Sequence, residues 1–162
     1  MSVFKNQFTR ALNIYESDYA EIPYPEVITT GDTGTSGGTD LLYDENKDFS
    51  ELHVAAGDII FNTSTNTSAT VIELVDENTI LLNADIFTDS VLDNYTIYAA
   101  SAQTTIGNRG CFLFVGSAGI LVVETLGGDV VTLQTVNSNT IVPIQVVKVL
   151  TGTTATRLVA LW

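Results

Sequence analysis

The chain has almost nothing from which a reactive centre is ordinarily assembled. Its 162 residues include one histidine, one cysteine and six lysines and arginines in all. A nucleophile–base–acid triad would have to use His53, in Glu51-Leu52-His53-Val54 at an expected strand edge, and no G-x-S-x-G elbow accompanies it. Gly116-Ser117-Ala118-Gly119 has the wrong spacing for that elbow and reads as a hairpin turn. A zinc site needs more Cys and His than one of each. No lysine follows a glycine-rich phosphate loop, and no G-x-G-x-x-G opens a helix. The lone Cys111 excludes an intrachain disulfide and lies in an apolar run, as a small core residue. Long hydrophobic runs are missing too. No segment approaches the ~20 apolar residues that span a bilayer. The first apolar stretch is broken by Lys5, Asn6, Gln7 and Arg10, unlike a signal peptide. The expectation is a non-catalytic chain with no cofactor and no metal, made in a cytoplasm.

Charge is also scarce and one-sided. Charged residues make up 15%, against the ~25% usual in soluble domains. Net charge is −13, which repels nucleic acid and anionic membranes. Residues 1–100 carry 17 Asp and Glu against Lys5, Arg10 and Lys47, a net of −14. Residues 101–162 carry Glu124 and Asp129 against Arg109, Lys148 and Arg157, a net of +1. Two regions of different electrostatics imply two modules with different neighbours.

What is present is β-forming. Apolar residues reach 45%, and Thr, Asn, Ser and Gly fill the remainder, a composition for strands and tight turns. Residues 1–40 read as an N-terminal arm and flexible linker. Phe4, Phe8, Ala11, Leu12 and Tyr15 fit one face of a short helix, and Pro23-Tyr24-Pro25 forces an extended course. Such a strap packs either on a neighbouring subunit, with Phe4, Phe8, Pro23, Tyr24 and Pro25 as its docking residues, or back on its own chain. Residues 41–100 read as an acidic β module, with strands at 57–62, 68–75, 79–83 and 95–99 and a hairpin at Asp76-Glu77-Asn78. Residues 101–162 read as a C-terminal β-sandwich or barrel, with strands at 111–115, 120–125, 130–135, 142–150 and 154–162. The fold class is therefore all-β: two small modules after an extended arm.

The last strand, Leu158-Val159-Ala160-Leu161-Trp162, is apolar on both faces and so needs cover on both. A subunit interface made by Leu158, Val159, Leu161 and Trp162 would supply it, and so would a central place in the sandwich. Among the acids, Asp44, Asn46 and Asp48 have the opening spacing of an EF-hand, but Phe49 stands where glycine is needed and Ala55 where the bidentate Glu is needed. They read as an acidic turn. Asp85, Asp89 and Asp93 read as solvated. Glu124 and Asp129 flank one hairpin, an unpromising pair for glycoside hydrolysis. Tyr95 and Tyr98 are weak candidates for stacking on a glycan.

Two stretches carry a resemblance. Gly57-Asp58-Ile59-Ile60-Phe61-Asn62-Thr63-Ser64, with Ser68-Ala69-Thr70-Val71 and Thr79-Ile80-Leu81-Leu82-Asn83-Ala84-Asp85-Ile86-Phe87, resembles a β module of tailed-phage virion proteins. Arg109-Gly110-Cys111-Phe112-Leu113-Phe114-Val115-Gly116, Val142-Pro143-Ile144-Gln145-Val146 and Gly152-Thr153-Thr154-Ala155-Thr156-Arg157-Leu158-Val159-Ala160-Leu161-Trp162 resemble the small β-domain of head-spike base proteins of gene transfer agents and related phages. That resemblance implies a virion structural protein that forms a symmetric homo-oligomer on the particle, with capsid or tail proteins, or a spike or fibre, as its other partners. It brings no catalytic residues. The acidic module and the strap depart from the shortest spike bases, so tail, collar and baseplate placements stay open, as does a carbohydrate-binding role at the host surface.

Overall fold

The computed structural model describes residues 8–88, 91–100 and 110–162. Among them lie twelve β-strands and no helix. In chain order these are β1 (Ala11–Ile14), β2 (Val27–Gly34), β3 (Leu41–Tyr43), β4 (Ile59–Asn62), β5 (Thr67–Asp76), β6 (Thr79–Leu82), β7 (Asp93–Tyr98), β8 (Cys111–Ser117), β9 (Gly119–Thr125), β10 (Val130–Val136), β11 (Thr140–Val149) and β12 (Thr156–Leu161). They form two antiparallel six-stranded sheets, ordered β1-β12-β8-β11-β9-β10 and β2-β7-β4-β5-β6-β3. Neither sheet closes into a barrel. The protein is all-β, as turn spacing and composition indicate.

Alternation places each core. In β8, Cys111, Leu113 and Val115 are buried while Phe112 and Phe114 are half-buried on the opposite face. Across the ladder Val115 meets Leu158 and Leu113 meets Ala160. With Leu121, Val123, Val146 and Val149 these side chains form the C-terminal core. The Cys111 thiol lies among them, its pKa pushed up to about 12 by burial. The other sheet has its own core of Leu42, Phe49, Ile60, Val71, Ile80, Leu82, Tyr95 and Ile97. A third, small cluster of Ala20, Ile59, Phe61 and Tyr98, with Leu12 against it, lies at the seam. Leu12 also packs on the C-terminal core, so the seam joins the modules.

The arm differs from its sequence reading. No helix forms at residues 8–15, and Phe4 lies outside the described residues. Ala11–Ile14 instead pairs antiparallel with β12, Ile14 opposite Leu158. Over four residues a helical face and a strand face share too few positions to be told apart, and the free edge of β12 selects the strand. Residues 31–40 are not a free linker. Gly31 and Gly34 belong to β2, which pairs with β7, and Thr35 bridges to Tyr43. A side-chain atom on Gly31 would collide with the Tyr95 ring, which explains the glycine. The arm is thus divided, β1 going to the C-terminal sheet and β2 to the acidic one.

Candidate interaction surface

The segment between β1 and β2 staples the modules together. Ser17 N–H donates to Val149 O at 2.7 Å and Ile22 N–H to Val147 O at 2.8 Å, both in the C-terminal sheet. Towards the acidic module, Ser17 Oγ donates to Ser68 O at 3.2 Å, and Thr70 Oγ1 and Asn83 Nδ2 donate to Tyr19 O at 2.8 and 2.7 Å. Asp18 accepts from Thr151 N–H at 3.0 Å and Thr151 Oγ1 at 2.6 Å. Those two bonds, the hydroxyl's first, hold its carboxyl below the usual Asp value. Pro23 is buried, and the buried Tyr24 meets Trp162 edge-on at 5.6 Å, with the Arg10 guanidinium 5.7 Å from its ring centre. Pro23 and Tyr24 therefore have an intramolecular place, Pro25 is half-buried beside them, and Phe8 lies 6.0 Å from Phe112. Of the alternatives for the strap, these contacts are those of one folded back on its own chain.

Strand β12 lies between β1 and β8 and so is not an edge. Leu158 is buried in the module's own core and leaves nothing for a partner. Trp162 is half-buried against Tyr24. Val159 and Leu161 face the other way. Val159 sits opposite Phe114, Leu161 opposite Phe112, and Ile141 next to Phe114. All five are apolar and at least partly open to solvent, with Ile141 42% exposed. This row gives the outer face of the C-terminal sheet an apolar centre. Sequence reasoning named Val159 and Leu161. It missed Phe112, Phe114 and Ile141, whose place beside them depends on strand order rather than on spacing within one strand.

The chemical candidates are otherwise accounted for by structural bonds. Asp44 is buried, taking Tyr95 Oη–H at 2.6 Å and Asn46 N–H at 2.9 Å. Asp48 accepts from Ser50 N–H, Ser50 Oγ and Glu51 N–H, which hold its pKa down, the Ser50 hydroxyl most of all. The acidic turn thus serves its own backbone. Asp58 is buried and takes Ala55 N–H at 2.8 Å and Ala100 N–H at 2.7 Å; burial nonetheless raises its pKa. Asp93 is buried against Asn62 Nδ2 at 2.9 Å, not solvated, while Asp89 lies outside the described residues. His53 is exposed in a turn at φ 61°, not at a strand edge. Glu124 faces Lys148 at 3.8 Å. Tyr95 and Tyr98 are buried, so neither can stack on a sugar. Among the described residues no group of three or more His, Cys, Asp and Glu could hold a metal ion.

Two clefts stand out among the described residues. One, of about 490 Å³, is lined by Glu16, Asp18, Tyr19, Asp40, Asn83, Asp85 and Thr151 where the strap crosses both modules. The other, of about 530 Å³, is lined by Asp32, Asp44, Lys47, Asn94 and Tyr95 among others. In the first, the Thr151 hydroxyl already donates to Asp18 at 2.6 Å, and in the second the Tyr95 hydroxyl donates to Asp44 at 2.6 Å. Compared with known proteins, the chain matches no family model, no curated protein and no solved structure.

Proposed function

We propose that the chain is a non-catalytic structural protein of a phage particle that assembles as a symmetric oligomer through the outer face of its C-terminal sheet. The observation that carries this is the row Phe112, Phe114, Ile141, Val159 and Leu161, an apolar centre left partly open in a chain of net charge −13. Covering such a row on association removes apolar area from water at ~25 cal/mol per Å² before ordering costs. Its module is the nearly neutral one, so copies meet there with least repulsion. The likeness of residues 57–162 to phage virion β modules supports the particle as the setting. Capsid, collar, tail and baseplate are its candidate neighbours, and the virion its location.

Size-exclusion chromatography with light scattering tests the oligomer. The wild type should elute as a multiple of 17.4 kDa. Phe114→Glu and Val159→Glu, on one cross-strand pair, should shift it towards the monomer with an unchanged circular dichroism spectrum. A wild type that stays monomeric at tens of micromolar, or variants that associate as before, would refute the proposal.

A second reading, carbohydrate binding in host adhesion, rests on the cleft beside Tyr19, which is 55% exposed and stands with Asn83 and Asp85 around it. An aromatic face beside amide and carboxylate groups suits a sugar ring. Loss of glycan-array binding on Tyr19→Ala would support it, and an array without hits would remove it.

A further inference from the structure

Each core draws on its own stretches of chain. Among the described residues, the side chains of the C-terminal core come from 12–22 and 111–162, and those of the acidic core from 28–97. The change falls between Ile22, which packs on the first core, and Ile28, which packs on the second. Among the same residues no strand of one sheet pairs with a strand of the other. The strap joins them, with the small seam cluster in which Ala20 meets Ile59, Phe61 and Tyr98.

The N-terminal piece is built into the C-terminal sheet rather than laid on it. β1 continues that sheet beyond β12, with Leu12 opposite Ala160 and Ile14 opposite Leu158. Ile14 is 3% exposed and belongs to the core. Trp162 N–H donates to Arg10 O at 3.0 Å, and the strap goes on along β11 through Ser17 and Ile22. Tyr24 closes on Trp162. Residues 8–26 thus complete the sheet of residues 110–162, although the acidic strands lie between them in sequence.

The acidic unit begins and ends at one place. Its first and last strands, β2 and β7, are neighbours, with Val27 opposite Tyr98. Directly opposed antiparallel residues stand ~4.5–5.5 Å apart. Ala99 N–H donates to Glu26 O at 2.9 Å, so the chain enters and leaves side by side. The buried Asp58 carboxylate fixes the exit, taking Ala100 N–H at 2.7 Å. A unit with its own core and adjacent ends can interrupt another domain without disturbing it.

We infer that residues 8–26 and 110–162 form one discontinuous domain, that residues 27–100 are a second domain inserted into it, and that self-association belongs to the first and needs nothing from the second. Charge divides in the same way. Residues 27–100 hold 13 Asp and Glu against Lys47, a net of −12, which leaves −1 for the rest. The apolar row of Phe112, Phe114, Ile141, Val159 and Leu161 lies wholly on the parent domain. The parent domain is thus the part on which copies can meet, and the insert is the highly charged part it carries. The division of the chain holds without the reading of the outer face as an assembly surface; the place of self-association rests on that reading.

Native-state hydrogen exchange on the full-length wild type in rising, sub-denaturing urea tests the division. The amides of β8, β11 and β12 should lose protection in one opening and those of β4, β5 and β7 in another. In the full chain, Ile60→Ala should speed exchange at least several-fold across β4, β5 and β7 and leave β8 and β12 as in the wild type. Ile14→Ala should do the reverse. Ile14→Val and Ile60→Val, each one methylene smaller, give the same comparison where an alanine variant does not fold. A single opening shared by both sheets overturns the inference, and so do Ile14 variants that leave β8 and β12 unchanged or act equally on the acidic strands. Light scattering tests the association. Ile60→Ala should keep the wild-type oligomeric mass, and a monomeric Ile60→Ala beside an oligomeric wild type overturns the claim for the parent domain. A wild type that is itself monomeric defeats the outer-face reading, and the exchange pattern then decides the two-domain division alone.

Discussion

Tyr95 shows how one side chain organises the acidic module. Its ring is 1% exposed, with Phe49 and Phe87 at 6.5 and 6.1 Å, and Gly31 and Gly34 offer backbone where any side chain would collide. Its hydroxyl donates to Asp44, and burial first and that carboxylate second hold it protonated far above the ordinary tyrosine range. Tyr95→Phe keeps the packing but leaves a buried carboxylate short of a donor, a loss of about 1–3 kcal/mol in urea unfolding. Gly31→Ala should lose a similar ~1–3 kcal/mol by overpacking against the ring. None of this was legible beforehand. The glycines read as a linker and Tyr95 as a weak glycan candidate, because the ring that explains both arrives from residues some sixty positions away on a paired strand. The buried Asp58 gives a pH signature. Its raised pKa means that, above the ordinary Asp value of 3.8, the unfolded chain has released a proton that the folded chain still holds. Stability therefore falls as pH rises through that window. The difference between wild type and Asp58→Asn should shrink as pH is raised from below 3.8. For Asp18, whose pKa is lowered, the difference between wild type and Asp18→Asn should grow over the same titration. Unfolding curves at a series of acid pH values separate the two slopes.

Among the elements, the strands from β4 onward lie close to where the sequence puts them, because turns rich in Gly, Asn or Asp bound them and most alternate, β4 and β6 being instead short apolar runs buried almost throughout. β1, β2 and β3 do not announce themselves. Each is short, or polar with glycine, and forms because an edge of a sheet is there to receive it. The apolar outer row was half legible for the same reason: alternation marks which residues of β12 face outward, but only pairing brings Phe112, Phe114 and Ile141 beside them. The place of β12 also changes what truncation would measure. Removing residues 158–162 takes out a strand hydrogen-bonded on both sides, with Leu158 and Ala160 from the core. The expected result is loss of the C-terminal sheet, seen as aggregation or lost β signal, rather than a folded monomer. Substitution on the outer row is the cleaner probe of assembly. For the strap, Asn83→Ala and Thr70→Val remove both side-chain donors to Tyr19 O. Hydrogen exchange should then speed up at Ser17, Ala20 and Ile22 while the amides of β8 keep their protection. Unchanged strap exchange would mean that the C-terminal contacts alone hold it.

At the scale of the whole molecule, the division of charge sets how copies approach. The acidic module and the strap carry nearly all of the net −13, and the C-terminal sheet is close to neutral. Contacts through the outer apolar row involve no obligatory ion pair, so the charges act on association only as a repulsion to be overcome. Salt shortens that repulsion from a Debye length of ~30 Å at 0.01 M to ~10 Å at 0.1 M. Self-association should therefore strengthen several-fold as sodium chloride is raised across this range, in sedimentation equilibrium at neutral pH. The opposite sign carries equal information. An assembly held by carboxylates of one copy on Arg157 or Lys148 of another would weaken with salt, because screening removes attraction. Weakening would thus move the contact away from the outer apolar row and onto the acidic module, and strengthening that disappears in Phe114→Glu would assign it to the outer face.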